Sequence, residues 1–451
     1  MYDLLLTGGT LVTPARTYRA DIAAADGRIA AIFEPGRAPR QAGKAVDIDG
    51  LHVLPGAIDV HVHFREPGAS EKETWTTGSR AAAAGGVTSV FDMPNTEPPT
   101  TDVERLEQKQ AFAQGNSYVD FGLYGVATDS NIDHIGPLIE AGVIGFKIFQ
   151  GGGPDEIAQP NPLNLLTMLR QAGAAGLRTV FHAQDRDVYY MTEDLVKRQG
   201  RRGLEAYVAS RPPESEVTAI AEVIALGLLT GAPVHVAHFS SSQAVNMLRM
   251  ADRQALNITA ETYPHYLLLS MDDPAFRGME GRARQSPPVR YDQDRDQLWV
   301  GLDEGLITVL SSDHAPHLNE NKYTAVETAL PGIAGVQFTL PLLLDLAVAG
   351  KITLQQVVRW TATAPAQAFG LHPRKGSLRV GADADLAIVD LNQEWSITPE
   401  TIFSQDQTIP YLGRRGMGSV IHTIVRGQVV MSRGTFPNPP GGQRLRAGIG
   451  R

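Results

Sequence analysis

The sequence predicts an α/β protein, a (β/α)8 barrel carrying a small β-sandwich domain built from both chain termini. Three observations carry this. Residues 55–365 alternate apolar, strand-like runs with helical stretches, the pattern of a parallel sheet. The runs number eight: AIDVHVHF, TSVFDMP, DFGLYGVA, GFKIF, RTVFHA, VHVAHF, ITAETYPHY and ITVLSSDHAP, and seven of them carry polar residues near the C-terminal end, where such barrels place their chemistry. The two chain ends are instead rich in short strands and tight turns.

Between the runs, ETWTTGSRAAAAGG and SEVTAIAEVIALGLLTG have helical periodicity and a glycine stop. Residues 1–54 contain the hairpin signal Asp26-Gly27 between ADIAAA and RIAAIF. Residues 366–451 contain ADLAIVD, then SVIHTIVRGQVVMS with a turn at Arg426-Gly427. Neither end has the mass for a core of its own, so the two are expected to pair. The tail from Pro437, rich in Pro, Gly and Arg, is expected to be mobile or to lie on a neighbouring subunit.

The chain has 451 residues, 43% hydrophobic and 20% charged, the composition of a folded globular protein. A net charge of −9 argues against nucleic acid as a partner, because phosphate binding needs a basic face. With no cysteine, disulfides, thiolate nucleophiles and Cys-ligated zinc are excluded. The N-terminus MYDLLLTGGTLV has neither the basic start nor the apolar core of a signal peptide, and no run reaches bilayer length. A cytoplasmic protein without membrane contact is expected.

The chemistry-bearing residues recur at strand ends. His61 and His63 lie two apart, so both rings face the same side of the first strand. Lys147 stands inside the apolar run GFKIF, where an unpartnered ammonium is costly. His182, His238 and Asp313 close the fifth, sixth and eighth runs. His235, three before His238, faces the other way and reads as structural. Each of these residue types alone has an ordinary structural role. The ordered set of HxH, Lys, His, His and Asp on five strands supplies N and O ligands suited to zinc, manganese or a similar divalent ion.

These motifs resemble the amidohydrolase superfamily, and within it the cyclic amidases: dihydroorotases, allantoinases and hydantoinases. The resemblance runs from LLLTGGTLV to IVRGQVV. It implies two divalent metal ions, zinc foremost, with Lys147 N-carboxylated by CO2. His61, His63, Lys147 and Asp313 would hold one ion, and Lys147, His182 and His238 the other. A hydroxide between the metals would be the nucleophile, with Asp313 as general base and then acid. A homo-oligomer, dimer or tetramer, is also implied. Members that have lost catalysis typically lose these ligands, and this chain keeps all six.

The resemblance divides over the ring that is opened. HVHFREPG, MPNTEPPT and SDHAPHLNENK resemble dihydroorotase signatures, in which Arg65, Asn95 and His317 would bind a substrate carboxylate. SPPVR puts Ser286 where many bacterial dihydroorotases have Asn, and SPPLR is the hydantoinase form. ETYPHYLLL, PGIAGVQFTLPLLL and PYLGRRGMGSVIHTIVRG resemble allantoinases. Against hydantoinase, Gly152 stands where a Tyr is expected. The expected activity is therefore dihydroorotase, interconverting dihydroorotate and N-carbamoyl-aspartate, with allantoinase or hydantoinase as the alternative. GGGPDE (151–156), which lacks the phosphate-loop lysine, is expected to be an active-site loop.

Overall fold

The computed structural model describes residues 1–39, 41–151, 153, 155–251 and 255–447. All eight apolar runs form strands of one parallel sheet. In order these are Ala57–Val62, Val87–Asp92, Asp120–Val126, Gly145–Phe149, Arg178–His182, Val234–Val236, Ile258–Thr262 and Val309–Leu310. A parallel bridge between Val62 and His314, with His63 N donating to His314 O at 2.8 Å, brings the last strand back to the first. The barrel is nearly closed, so almost no strand edge is left for pairing with another chain.

Helices cover the outside. ETWTTGSRAAAA becomes the helix Trp75–Ala84, capped by Thr74, whose side chain accepts from Thr77 N. That capping box satisfies backbone donors a helix start otherwise leaves open. The run ending LLTG becomes Pro213–Thr230, closed by Gly231 at φ 66°, a left-handed position that costs glycine little. Among the described residues no helix is long and apolar enough to cross a membrane.

The termini build two further sheets. One has four strands, Arg28–Phe33, Asp21–Ala25, Tyr2–Thr7 and Ala42–Asp47. The other has six and joins both chain ends: Leu386–Ser396 pairs with Arg415–Val425 on one side and His52–Pro55 on the other. Their shared core includes Leu4, Leu6 and Ile22 from one terminus and Leu386, Ile388 and Ile424 from the other. Asp26 and Arg426 both take positive φ before a glycine, as the two expected hairpins require.

Two features of the C-terminal region differ from expectation. Past residue 365 the chain continues beneath the barrel, where Phe369 packs its ring 5.2 Å from that of Phe91 and 5.7 Å from that of His235. The tail up to residue 447 docks on its own chain: Phe121 N donates to Gln443 O at 3.0 Å and Leu445 N to Phe121 O at 2.7 Å. Open backbone groups beside the third strand are satisfied by this tail, which explains its order despite its composition.

Candidate active site

At the C-terminal ends of the strands lies a cavity of about 180 Å³. All ten residues singled out in the sequence line it: His61, His63 and Lys147, His182, His238 and Asp313, and Arg65, Asn95, His317 and Ser286. Gly153 of the glycine-rich loop also reaches it. Gly152 and Pro154 of that loop lie outside the described residues.

His61 sits on the first strand and His63 just beyond its end, so strand alternation aims both rings at Asp313. His61 Nε2 and His63 Nε2 lie 3.4 and 3.2 Å from Asp313 Oδ1. The three offer ligand atoms within 4.8 Å of one another. Asp313 and His238 do not continue their strands. They follow them in left-handed backbone conformations, φ 47° and 41°, which cost side chains of this kind about 1–3 kcal/mol each. That backbone turns both side chains inward.

Lys147 lies within the fourth strand, fully buried, and its Nζ has no hydrogen-bond partner among the described residues. Burial pulls its pKa down to about 8 against the pull of Glu261 and Asp313. A buried amine without an acceptor is expensive as an ammonium, so the site shifts it toward its neutral, nucleophilic form. His182 and His238 face each other with Nδ1 and Nε2 at 2.7 Å, a spacing bridged by one shared proton or replaced by a shared cation. Burial holds His63 and His182 down to about 3 and His238 well below its usual value. The rings are therefore neutral, the form that ligates metals. Burial pushes Asp313 upward, but His61, His63 and His238 together hold it well below the carboxylate range. Neutral imidazoles, one carboxylate and an orphaned buried amine fit a divalent-cation site.

Supporting residues fix the ring nitrogens, and most of them escape sequence reading. His182 Nε2 donates to Gln184 Oε1 at 2.9 Å, leaving Nδ1 for the site. Glu261 Oε1 lies 2.6 Å from His61 Nδ1 and accepts from Tyr263 OH at 2.7 Å. Gln285 Nε2 donates to Asp313 Oδ2 at 2.9 Å. The period-2 alternation of Thr259, Glu261 and Tyr263 in ITAETYPHY was the available signal for Glu261. His235 stays outside the cavity, as expected, with Nδ1 2.7 Å from Thr259 Oγ1 and Nε2 3.6 Å from Glu261.

The four residues expected to touch substrate all line the cavity and differ in how far protein partners engage them. His317 Nε2 donates to Pro331 O at 2.9 Å, and burial lowers its pKa to about 2, so its one ring proton is engaged. Asn95 Oδ1 takes the His63 Nδ1 proton at 2.8 Å. Ser286 Oγ donates to Gln184 Oε1 at 3.3 Å. Arg65, at φ 61°, donates through Nε to Pro316 O at 3.2 Å and has no ion-pair partner among the described residues. Glu66 does not pair with it; Glu66 Oε2 accepts from Trp75 N.

The model of the amidohydrolase family matches residues 52–430. The chain is 39% identical to an allantoinase of Bacillus velezensis over 436 residues, covering 96% of this chain and 95% of that one. It is 34% identical to a dihydroorotase of Geobacter sp., covering 96% and 100%. The L-hydantoinase of Arthrobacter aurescens superposes with a TM-score of 0.94 at 30% identity, over 99% and 100% of the two chains. These likenesses favour allantoinase over the dihydroorotase expected from the signature motifs, and they agree on the chemistry. The chain belongs to the amidohydrolase family and is a hydrolase of cyclic amides.

Proposed function

We propose that this enzyme opens the ring of an uncharged cyclic ureide, with allantoin as its substrate. The observation that carries the reading is the full-length likeness to the Bacillus velezensis allantoinase. One part of the geometry is in keeping with it: the Nε2 proton of His317 is committed to Pro331 O, while Asn95 spends only its Oδ1, on His63. Arg65 retains donors that suit a ureido carbonyl.

His61, His63, Lys147 and Asp313 are the proposed ligands of one zinc ion, and N-carboxylated Lys147, His182 and His238 those of a second. Bound there, the ions supply a polarised carbonyl and a water acidic enough to attack it. Asp313 would accept a proton from the attacking water as the C–O bond forms, and return it to the amide nitrogen as the C–N bond breaks. Asn95 and Gln184 keep the rings of His63 and His182 oriented. Ser286 lines the wall against which the ring lies. In this proposal residues 55–365 form the catalytic barrel, with the segment around Phe369 packed beneath it, and 1–54 with the strands of 366–451 form its supporting domain.

A second reading, dihydroorotase, is favoured by one specific observation: the Arg65 guanidinium faces the cavity without an ion-pair partner among the described residues. The deciding experiment compares kcat/KM for allantoin, dihydroorotate, hydantoin and dihydrouracil with zinc and bicarbonate present. Allantoin is expected to lead. A tenfold or greater preference for dihydroorotate would replace the first reading by the second.

A further inference from the structure

We infer that Gln285 is a two-ended positioning residue: one end of its amide fixes the Asp313 carboxylate, and the other receives an N–H of the substrate ring. The inference rests on Asp313 being the proton carrier, as proposed above.

The amide orientation follows from its neighbours. Gln285 Nε2 donates to Asp313 Oδ2 at 2.9 Å, since an amide oxygen turned to a carboxylate oxygen would set two acceptors face to face. The same nitrogen lies 3.5 Å from Nε2 of His265, whose pKa burial lowers to about 3, which leaves the ring neutral and able to accept. Both Nε2 hydrogens thus point at acceptors. Oε1 is the remaining end. No protein donor among the described residues takes it, and the side chain lines the cavity beside Ser286.

The division at Asp313 gives this hydrogen bond a consequence. Oδ1 faces His61 and His63, and Oδ2 faces Gln285. A carboxylate gripped at one oxygen only can rotate. The second grip holds Oδ2 at one place along the proton path. The backbone under Gln285 is correspondingly rigid. Its own carbonyl accepts from Tyr207 OH at 2.9 Å. The preceding Arg284 donates to Val326 O and Ala329 O at 2.7 and 2.6 Å, while its carbonyl accepts from Lys322 Nζ at 3.1 Å. Cyclic amides and ureides carry ring N–H groups, the complement of the free Oε1.

Two substitutions separate the two ends. Gln285→Met keeps the volume and removes both donor and acceptor. Gln285→Glu is isosteric, keeps an acceptor toward the cavity and removes the N–H from Asp313. Measured on the ring the enzyme turns over best, both variants should lose about 10- to 100-fold in kcat, as misplacement of a reacting group does. KM should rise about 2- to 10-fold in Gln285→Met and stay near wild type in Gln285→Glu, the size of one neutral hydrogen bond. Metal content and thermal midpoint should match wild type in both. A kcat within threefold of wild type in both variants, or an equal rise in KM, overturns the inference. Asp313→Asn is the control. If it turns over within tenfold of wild type, the proton-carrier reading falls and the positioning role with it. If it is inactive while Gln285→Met is silent, the Gln285 inference alone is wrong.

Discussion

Glu261 Oε1 and His61 Nδ1 lie 2.6 Å apart at the floor of the cavity, both buried, joined across 200 residues of sequence. The pair decides which nitrogen of His61 is available. With Nδ1–H donated to Glu261, the lone pair of Nε2 points at Asp313 and the cation site.

Glu261→Gln keeps the shape and an acceptor oxygen but removes the charge. Zinc affinity, measured by competition with a chelator, should fall about tenfold, the low end of the range for such supports. Unchanged affinity would show that Glu261 serves only to balance His235 beneath it.

Lys147 makes a prediction in pH. Its amine must be neutral to react with CO2, and burial places its pKa at about 8. At fixed dissolved CO2, the rate at which zinc activates metal-free enzyme should therefore climb from pH 7 to pH 9 and level off above. Lys147→Ala should bind less zinc and lose activity, with partial recovery in added short carboxylic acids. Full activity in the unrescued variant would remove the lysine from the site.

Stability and catalysis should separate at Lys375. Its buried Nζ contacts Asp120 Oδ2 at 2.8 Å, Asp383 Oδ2 at 3.2 Å and Asp385, far from the cavity and between the start of the third barrel strand and the terminal domain. Asp120, Asp383 and Asp385 are close enough to resemble a cation site, but the lysine already occupies that role. Lys375→Met leaves buried carboxylates without their cation and should cost about 3–5 kcal/mol in denaturant unfolding. Turnover per folded molecule at 25 °C should not change. A loss of kcat without loss of stability would contradict this.

What the sequence made legible was residue type at strand ends. Period-2 alternation was enough to aim His61 and His63 together, and the apolar setting of Lys147 was enough to mark it as costly. The left-handed backbone at His238 and Asp313 was not legible, because no local signal distinguishes a strand end from a turn that follows it by two or three residues. Glu261 and Gln285 act from buried positions on partners 200 and 28 residues away. The alternation in ITAETYPHY marks the face Glu261 shares with Thr259 and Tyr263 but not its partner, and nothing local announces Gln285. The sandwich was legible from the turn residues Asp26-Gly27 and Arg426-Gly427. The docking of the tail beside Phe121 was not, because its partners are backbone groups rather than side chains. Substrate choice is divided for a related reason: Arg65, Asn95 and His317 carry the right groups for a carboxylate, and the sequence does not reveal that the His317 Nε2 proton is already given to Pro331 O.

Arg65 therefore supplies the prediction that separates the two substrates. A carboxylate drawn into the cavity is desolvated and must be paired, and Arg65 is the cation within reach. Removing one partner of such a pair costs about 2–5 kcal/mol, which at about 1.4 kcal/mol per decade is roughly 30-fold to several thousand-fold. A neutral ureido carbonyl loses only a hydrogen bond, about 0.5–1.5 kcal/mol, or roughly 2- to 13-fold. Arg65→Met should therefore reduce kcat/KM on allantoin by about tenfold or less and should suppress any residual turnover of dihydroorotate far more. Zinc content should not change, since the guanidinium touches Pro316 and His317 and none of the proposed ligands. If wild type prefers dihydroorotate and Arg65→Met reverses that preference, the unpaired guanidinium is a carboxylate receptor and the enzyme is a dihydroorotase. If both rings slow by the same factor, Arg65 acts on the loop that carries His317 rather than on substrate, and ring selection lies with the wall formed by Gln285 and Ser286.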